Sequence, residues 1–309
     1  MQPVYDVTAL GEGMVEFNQT RPGERAWLQG FGGDTSNAVI AAARAGARAA
    51  YLSRVGGDEF GALLLDLWRA EGVDTSAIEK DANAPTGLYF VTHSCGGHSF
   101  SYRRSGSAAS RMTTAWIERP EVQQVLRSTK FLHVSGISLA ISPDARECTL
   151  VAMRHARDGG ARVSLDANLR TKLWPLEHAR EAIDHALRRC DVYLPSLEDA
   201  TALHGTSDPA AIADCAHRAG VCTVVVKLGA DGCVVSEGGR LHHVHGHRVH
   251  ALDATGAGDC FSGNLLARLA AGDDTLVAAR YANAAAALAV QGWGAVDPLP
   301  RPDAVRGLA

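Results

Sequence analysis

Apolar and polar positions in the second half of the chain follow a repeating order of strand-like and helix-like segments. Short apolar runs predict strands at residues 130–135, 161–166, 192–194 and 221–227. Segments with helical spacing lie between or beside them, at residues 143–157, 177–188, 196–204 and 208–219. Strands that alternate with helices of this length favour a mostly parallel sheet covered by helices on both faces. We therefore predict an α/β fold.

The first half of the chain opens with the same kind of pattern. Strands are predicted at residues 4–10, 27–31 and 49–55. A helix is predicted over residues 38–45, with Asp34 or Thr35 as its N-cap. A second, amphipathic helix after residue 58 has an apolar side formed by Leu63, Leu64, Leu67 and Trp68.

Residues 86–104 break this pattern. They contain two strand-like runs, at 86–92 and 99–104, which are separated by a turn at 94–97 rather than by a helix. We assign them, together with the segment near 12–33, to a small β-sheet lid on a single domain that spans residues 1–309. Exposed edges of such small sheets often pair, so we also expect a homo-oligomer formed through the lid.

Composition narrows the class of ligand. The chain has 309 residues, 46% of them hydrophobic, which suffices for a large core. A net charge of -4 gives no footprint for nucleic acid or an anionic membrane, so a small molecule is the expected partner. We see no signal peptide and no apolar run near the roughly 20 residues of a membrane span. The seven cysteines are scattered and never form C-x-x-C, as expected for free thiols of a cytoplasmic protein.

A loop of small residues at 253–259, Asp-Ala-Thr-Gly-Ala-Gly-Asp, carries the clearest candidate chemistry. It lies between a strand-like, His-rich run at 241–252 and a helical segment at 260–271. The free amides and the dipole of a helix start form an anion site, which Gly256 and Gly258 allow a phosphate to approach closely. Asp259 adds a carboxylate. The loop could be only a tight turn with a capping aspartate, but it suggests phosphoryl transfer to a hydroxyl, with the carboxylate as base.

Further polar groups follow predicted strands. Asp166, Lys227 and Asp259 all fall beyond strand ends, where ligands of parallel sheets bind. Each of their motifs also has a structural interpretation, as a turn or a Gly-rich hairpin. The histidines at 242, 243, 245, 247 and 250 have strand spacing and no nearby acid or cysteine, so we interpret them as an exposed strand rather than a metal site. The P-loop and dinucleotide fingerprints are missing from the sequence.

Taken in order, the motifs resemble those of the ribokinase-like (PfkB-type) carbohydrate kinases along nearly the whole chain. The family marks are Gly32-Gly33-x-x-x-Asn37, Arg54-Val55-Gly56-Gly57-Asp58-x-x-Gly61 and the loop 253–259. The resemblance implies a central sheet flanked by helices, with a small β lid. It also implies ATP and Mg²⁺ as cofactors and leaves open a monovalent cation such as K⁺.

The resemblance assigns roles to individual residues. Asp259 would be the catalytic base, and Gly256, Ala257 and Gly258 would form the anion hole. Gly33 and Asn37 would hold sugar hydroxyls. The nucleotide would be bound by Ser196, Lys227, Gly229, Gly232 and Asn283, together with Gly256 and Gly258. The family's usual Asn-x-x-Glu is altered here to Ser196 and Asp199, and Asp199 would hold Mg²⁺ through water.

Within the family, the chain is similar to the 2-keto-3-deoxygluconate kinases. The stretches that carry this similarity imply a substrate site formed by Tyr89, Tyr102, Arg104, Asn168 and Arg170 with Asp259. Arg104 and Arg170 would suit the carboxylate of an acidic sugar. The expected reaction is ATP-dependent phosphorylation of the terminal hydroxyl of 2-keto-3-deoxygluconate. The alternatives are a neutral-sugar kinase of the fructokinase or ribokinase type, or a non-catalytic sugar-binding protein.

Overall fold

The computed structural model describes residues 3–19, 21–94 and 97–308. Its strands, in chain order, are β1 (Tyr5–Leu10), β2 (Met14–Asn18), β3 (Leu28–Gly32), β4 (Ala49–Leu52), β5 (Arg54–Gly56), β6 (Val73–Asp74), β7 (Glu79–Asp81), β8 (Leu88–Ser94), β9 (Gly97–Arg103), β10 (Thr129–Ser135), β11 (Arg162–Asp166), β12 (Val192–Tyr193), β13 (Thr223–Lys227), β14 (Cys233–Glu237) and β15 (Arg240–Val244). Its helices are α1 (Asp34–Arg44), α2 (Glu59–Ala70), α3 (Thr114–Ile117), α4 (Pro120–Arg127), α5 (Gly136–Ala140), α6 (Pro143–Asp158), α7 (Leu176–Leu187), α8 (Leu197–His204), α9 (Pro209–Arg218), α10 (Ala257–Ala271), α11 (Thr275–Ala289) and α12 (Pro302–Arg306).

The central sheet has the strand order β15-β14-β13-β12-β11-β10-β1-β4-β6. It is parallel from β6 to β13, and the β13-β14-β15 meander adds two antiparallel strands at one edge. The chain runs outward from β1 in both directions, so the strand order reverses between β1 and β10. Ligands of parallel sheets bind beyond the strand ends at such a reversal. The predicted α/β fold is confirmed.

Helices cover both faces of this sheet, and the strand side chains divide between them. Along β10, Leu132 and Val134 belong to the core under α4, α6, α7 and α9, whereas Phe131 belongs to the core under α1, α10 and α11. Along β13, Val224 and Val226 face the first group of helices and Val225 faces the second. Because successive strand residues point to opposite faces, the middle of a strand covered on both sides has to be apolar, as Val224, Val225 and Val226 of β13 are.

A separate small sheet has the order β3-β2-β8-β9. Met14, Tyr89 and Val91 form a buried cluster of their own within it, with Phe100 and Tyr102 packed against them. The strands predicted in residues 86–104 are therefore confirmed as part of a small sheet that also includes β2 and β3. Cys95 and Gly96 of the predicted 94–97 turn lie outside the described residues.

Three helix predictions were wrong in detail. Helix α1 begins at Asp34, four residues before the predicted start at residue 38. Its N-cap is Gly33, with a φ of 110° and no side-chain hydrogen bond, rather than Asp34 or Thr35. A Cβ at Gly33 would lie 2.2 Å from the carbonyl oxygen of Glu12, so the chain needs glycine there. On α2, Leu65 is buried instead of Leu63, which is 37% exposed. Helix α10 begins at residue 257 rather than at 260.

Two strand predictions were also wrong in extent. The run at 49–55 forms two strands, β4 and β5, which pair in different sheets. Ser53 lies between them, where its hydroxyl donates to the carbonyl of Gly11. The His-rich run at 241–252 is a strand only as far as Val244, because Val244 pairs with Cys233, the first residue of β14. Beyond that point β14 offers no partner.

Candidate active site

The loop before α10 places three backbone amides and a carboxylate at the start of a 15-residue helix. Gly256 is the N-cap in the left-handed region, with a φ of 74°, which favours glycine. Ala257, Gly258 and Asp259 then form the first turn, where N–H groups have no partner inside the helix. The helix dipole adds to the positive potential at this end. The Ala257 amide donates to the Ala254 carbonyl at 3.2 Å, and an anion site at this helix start stays a prediction.

Asp259 is held by a hydrogen bond from another helix. The Nδ2 group of Asn37, on α1, donates to its Oδ2 at 2.8 Å. The Oδ1 of Asn37 is buried and has no hydrogen-bond partner among the described residues, so it can accept from a ligand hydroxyl. Asn37 thereby joins the carboxylate to a position where a sugar hydroxyl could bind.

The pKa of Asp259 is raised from its usual value near 3.8 to about 7. Desolvation in the crowded site is the main cause, and the negative charge of Asp34 adds to it. The hydrogen bond from Asn37 and the positive charge of Lys227 act in the opposite direction. A carboxylate with a pKa near neutrality can accept a proton efficiently at physiological pH.

Asp259 faces two clefts. The first cleft, of about 580 Å³, is lined among others by Asp34, Asn37, Tyr89, Tyr102, Arg104, Asn168 and Arg170. The second cleft, of about 400 Å³, is lined among others by Asp166, Ser196, Asp199, Lys227, Gly229 and Gly258. Asn168, Arg170, Gly256 and Asp259 line both. A group transferred between ligands in the two clefts would pass Asp259.

The structure brings most of the predicted substrate residues together in the first cleft. Tyr89 and Tyr102 stack, with ring centroids 5.9 Å apart. The Tyr89 hydroxyl donates to Glu16, which holds the ring in place. Asn168 has a positive φ of 30° and its Nδ2 lies 3.3 Å from Asp34 Oδ2. Gly33 is the exception, because it does not line the cleft; it is buried and forms the N-cap of α1.

The predicted nucleotide residues divide into two groups. Ser196, Lys227, Gly229, Gly256 and Gly258 line the second cleft. Asn283 lines neither cleft, and its Nδ2 donates instead to the carbonyls of Val244 and His245, at 3.1 and 3.2 Å. Gly232 packs against the same backbone, since a Cβ there would lie 2.1 Å from the Val244 carbonyl. Nucleotide contacts by all of the predicted residues stay predictions, and Asn283 and Gly232 lie away from the second cleft.

Similarity to known proteins shows the family to which the chain belongs. The family model described as pfkB family carbohydrate kinase matches residues 4–302. The chain belongs to the pfkB family of carbohydrate kinases. The resemblance drawn from its motifs is thereby confirmed.

Named relatives of this kinase match it over nearly its full length. It is 34% identical to the 2-dehydro-3-deoxygluconokinase of Escherichia coli K12, over 94% of this chain and 97% of that protein. It is 35% identical to the 2-dehydro-3-deoxygluconokinase of Thermoproteus tenax, over 97% and 93%. It is 33% identical to fructokinase-1 of Oryza sativa subsp. japonica, over 95% and 94%.

Solved structures give the same fold for the kinase. The crystal structure of a PfkB protein from Polaromonas sp. JS666 has a TM-score of 0.89 and 32% identity, over 98% of this chain and 99% of that one. An Escherichia coli structure in complex with ATP and Mg²⁺ has a TM-score of 0.90 and 26% identity, over 100% and 99%. None of the helices in the described part of the kinase is long and apolar enough to cross a membrane.

Asp199 is the residue predicted to hold Mg²⁺ in the kinase. Asp199 lines the second cleft, and burial raises its pKa, with a further contribution from the charge of Asp166. Ser196 caps α8, accepting from the Asp199 amide at 3.0 Å. Within the described residues, no three His, Cys, Asp or Glu side chains form a metal site. A lone carboxylate still fits Mg²⁺, which keeps waters and takes phosphate oxygens as ligands. Binding by Asp199 through water stays a prediction.

The partners of several acidic residues of the site were not predicted from the sequence. Asp34 lines the first cleft, and burial raises its pKa. Asp166 pairs with Lys227 at 2.5 Å. Glu12 is almost fully buried and pairs with Arg104, whose Nε lies 2.7 Å from Glu12 Oε2. Glu16 is buried beside Tyr89. The available signal was position, since Asp166 ends β11, Asp34 follows the family glycine Gly33, and Glu12 lies two residues after β1.

Proposed function

We propose that the protein is an ATP-dependent kinase that phosphorylates the terminal hydroxyl of 2-keto-3-deoxygluconate, giving 2-keto-3-deoxy-6-phosphogluconate. The observation that carries the proposal is the place of Asp259. It lies on the shared wall of two clefts, at the start of α10, with a pKa of about 7. The relatives named 2-dehydro-3-deoxygluconokinase support the choice of substrate.

The mechanism assigns one task to each part of the site. Asn37 orients Asp259, whose carboxylate takes the proton from the sugar hydroxyl as that oxygen attacks phosphorus. The first amides of α10 donate to the oxygens on which negative charge develops. Mg²⁺, when bound with ATP, would neutralise phosphate charge near Asp199. The small sheet would cover the sugar and exclude water, so that the sugar rather than water receives the phosphoryl group.

Two arginines support an acidic substrate. Arg104 is fixed by Glu12 through its Nε side, and a guanidinium has five N–H donors, so it can still bind a second carboxylate. Arg170 is exposed at the junction of the two clefts. A neutral sugar would offer no carboxylate to either arginine, and Arg104 would keep only its pair with Glu12.

Replacement of the base tests the mechanism. Asp259→Asn should lower kcat by about 10²–10⁴-fold, because the attacking hydroxyl loses its proton acceptor, while KM changes little. Asp214→Asn, an exposed carboxylate on α9, is the matched control and should keep wild-type turnover. Near-normal turnover of Asp259→Asn would contradict the mechanism.

A neutral-sugar kinase is the second candidate, favoured by 33% identity to a fructokinase. Steady-state assays with ATP and purified 2-keto-3-deoxygluconate, 2-keto-3-deoxygalactonate, fructose and ribose distinguish the two. We expect the highest kcat/KM with 2-keto-3-deoxygluconate. A preference for fructose or ribose would replace the substrate in this proposal. Nucleotide binding without release of ADP for any sugar would instead favour the non-catalytic alternative.

We also propose that the small sheet joins two copies of the chain. Strand β3 is an edge strand, and it exposes Leu28, with 63% of its surface accessible, next to Trp27 at 37%. An exposed apolar edge of this kind is prone to pair. Sedimentation velocity of the purified protein measures this directly, and a monomer at micromolar concentration would contradict it.

Two further parts of the proposal follow from the family and from the cysteines. A monovalent cation such as K⁺ is expected to raise turnover, which a comparison of potassium and tetramethylammonium buffers measures.

The described cysteines are all free thiols, which favours a reducing compartment such as the cytoplasm. Fractionation of cells that express the protein checks the location.

A further inference from the structure

Lys227 places its ammonium group against the start of α10. It is the last residue of β13, and its side chain is only 12% exposed. Its Nζ lies 2.5 Å from Asp166 Oδ2. It also lies 3.3 Å from the point that a Cβ of Gly258 would occupy. The ammonium therefore reaches the second residue of α10, one residue before Asp259.

A cation in this position is unfavourable unless an anion shares the site. The start of a long helix carries the equivalent of about half a positive charge, which repels a neighbouring ammonium. Asp166 offsets this repulsion, and it is itself fixed by the Ser262 hydroxyl, 3.0 Å from the same Oδ2. One carboxylate thus faces two positive groups. Lys227 and the helix start place positive potential at one wall of the second cleft, which Glu198, Asp199 and Asp259 also line. A multiply charged phosphate bound at that wall is stabilised by it.

We propose that Lys227 is a catalytic residue that contacts the phosphoryl group during its transfer, and that Asp166 is the positioning residue that holds it there. The inference rests on the proposed phosphoryl transfer, but it is independent of which sugar accepts the group. It makes the family-based expectation that Lys227 lines the nucleotide more specific, because the part of ATP that Lys227 contacts is the γ-phosphoryl group.

The step balances without a change in the charge of Lys227. The sugar oxygen forms a bond to the γ-phosphorus, and its proton passes to Asp259. The bond from this phosphorus to the oxygen that bridges it to the β-phosphate breaks, and its electron pair leaves with ADP. Lys227 stays protonated, and its ammonium donates to an oxygen of the transferring group throughout.

The proposal predicts that replacing Lys227 and replacing Asp166 shift the pH dependence of kcat in opposite directions. The charged groups that face Asp259 are Asp34 from α1, Asp166 from β11 and Lys227 from β13. Loss of the ammonium removes a positive charge that favours ionised Asp259, so the acid limb of the kcat profile should move to higher pH. Asp166→Asn removes a negative charge, so the limb should move to lower pH while kcat falls. A general loss of structure would not separate the two directions.

The experiment compares Lys227→Met with Lys130→Met. Lys130 also pairs with an aspartate, Asp6, at 2.8 Å, but it lies near the amino end of β10, whereas Lys227 lies at the carboxyl end of β13. Lys227→Met should lower kcat by roughly 10²–10³-fold, as expected for the loss of one donor to the transition state, with KM for ATP changed only a few-fold. Lys130→Met should retain wild-type kcat. Circular dichroism checks that each variant is folded.

A chemical rescue covers the case in which Lys227→Met does not fold. Lys227→Cys treated with 2-bromoethylamine regains an ammonium on a side chain of nearly lysine length, and its kcat should recover at least tenfold. Wild-type protein treated in the same way controls for the other thiols. The proposal is overturned if kcat of Lys227→Met equals that of Lys130→Met, if only KM for ATP rises, or if alkylation restores nothing.

Failure of the proposed function has a separate signature. All variants are assayed with whichever sugar the wild-type protein phosphorylates. A wild-type protein that accepts fructose alone would change the substrate and leave this test intact. A wild-type protein that releases no ADP with any sugar would overturn both the function and the role of Lys227.

Discussion

At the scale of single residues, Asp259 has to remain ionisable in a site that disfavours its charge. Its pKa of about 7 arises mainly from desolvation and from Asp34. Because the pKa of the folded state lies above that of the unfolded chain, the folded protein binds more protons between about pH 4 and pH 7. The stability of the protein therefore decreases as the pH rises through this window. Above about pH 7 the destabilisation by the ionised carboxylate is fully present.

This sign predicts a pH-dependent gain in stability for Asp259→Asn. The neutral amide escapes the desolvation penalty, so the free energy of unfolding of the variant should exceed that of wild type by up to roughly 4 kcal/mol at pH 8. The difference should shrink towards zero as the pH approaches 4. Urea unfolding at several pH values measures it, with Asp214→Asn as the control. A difference in the free energy of unfolding that does not grow with pH would show that ionisation of Asp259 does not destabilise the folded protein.

At the scale of elements, the active site is set by the close contact of α1 and α10. Asn37 is on α1 and Asp259 on α10, and the 2.8 Å hydrogen bond between them depends on how near the two helices lie. Gly263 permits that approach, because a Cβ there would lie 2.1 Å from the Ala38 carbonyl oxygen and 2.8 Å from the Ala41 Cβ. Gly263, four residues after Asp259 on α10, thus helps to position the base.

Gly263→Ala should consequently reduce both stability and turnover. Overpacking by one methyl group is expected to lower the free energy of unfolding by about 1–3 kcal/mol. Displacement of Asn37 relative to Asp259 should lower kcat by roughly tenfold to a hundredfold. Gly307→Ala is the control, since a Cβ there meets its nearest neighbour at 3.5 Å. Thermal unfolding and steady-state kinetics measure both effects, and unchanged kcat in Gly263→Ala would separate the helix contact from the chemistry.

Some of these elements could be predicted from the sequence, and others could not. Apolar periodicity predicted β10, β11, β13, α6 and α7 nearly to the residue, because burial on both faces of a sheet constrains side-chain type strongly. Helix starts at glycine, as in α1 and α10, were placed several residues late, since a left-handed cap has no side chain to signal it. Asp259 and Asn37 were predicted from motifs. Asp166 was noted only as a polar residue beyond a strand end, and Asp34 only as a possible N-cap. Their contacts in the site were not predicted, because such contacts depend on tertiary packing.

At the scale of the whole molecule, a buried ion pair connects the central sheet to the small sheet. Glu12 follows β1 of the central sheet and Arg104 follows β9 of the small sheet. Their side chains are 1% and 10% exposed, and Ser107 also donates to Glu12. Arg104 lines the first cleft at the same time. One guanidinium therefore serves the join between the two sheets and the predicted binding of the sugar carboxylate.

These two roles can be separated with a double variant. Arg104→Met leaves Glu12 buried without its partner, so it should destabilise the protein by about 3–5 kcal/mol. Glu12→Gln/Arg104→Met removes both charges and should regain most of that stability. If Arg104 also binds substrate, KM for 2-keto-3-deoxygluconate should stay raised by roughly tenfold or more in both variants, while KM for ATP is unchanged. Arg48→Met, which breaks the more exposed pair with Asp6, should have little effect. Recovery of KM together with stability in the double variant would restrict Arg104 to joining the two sheets.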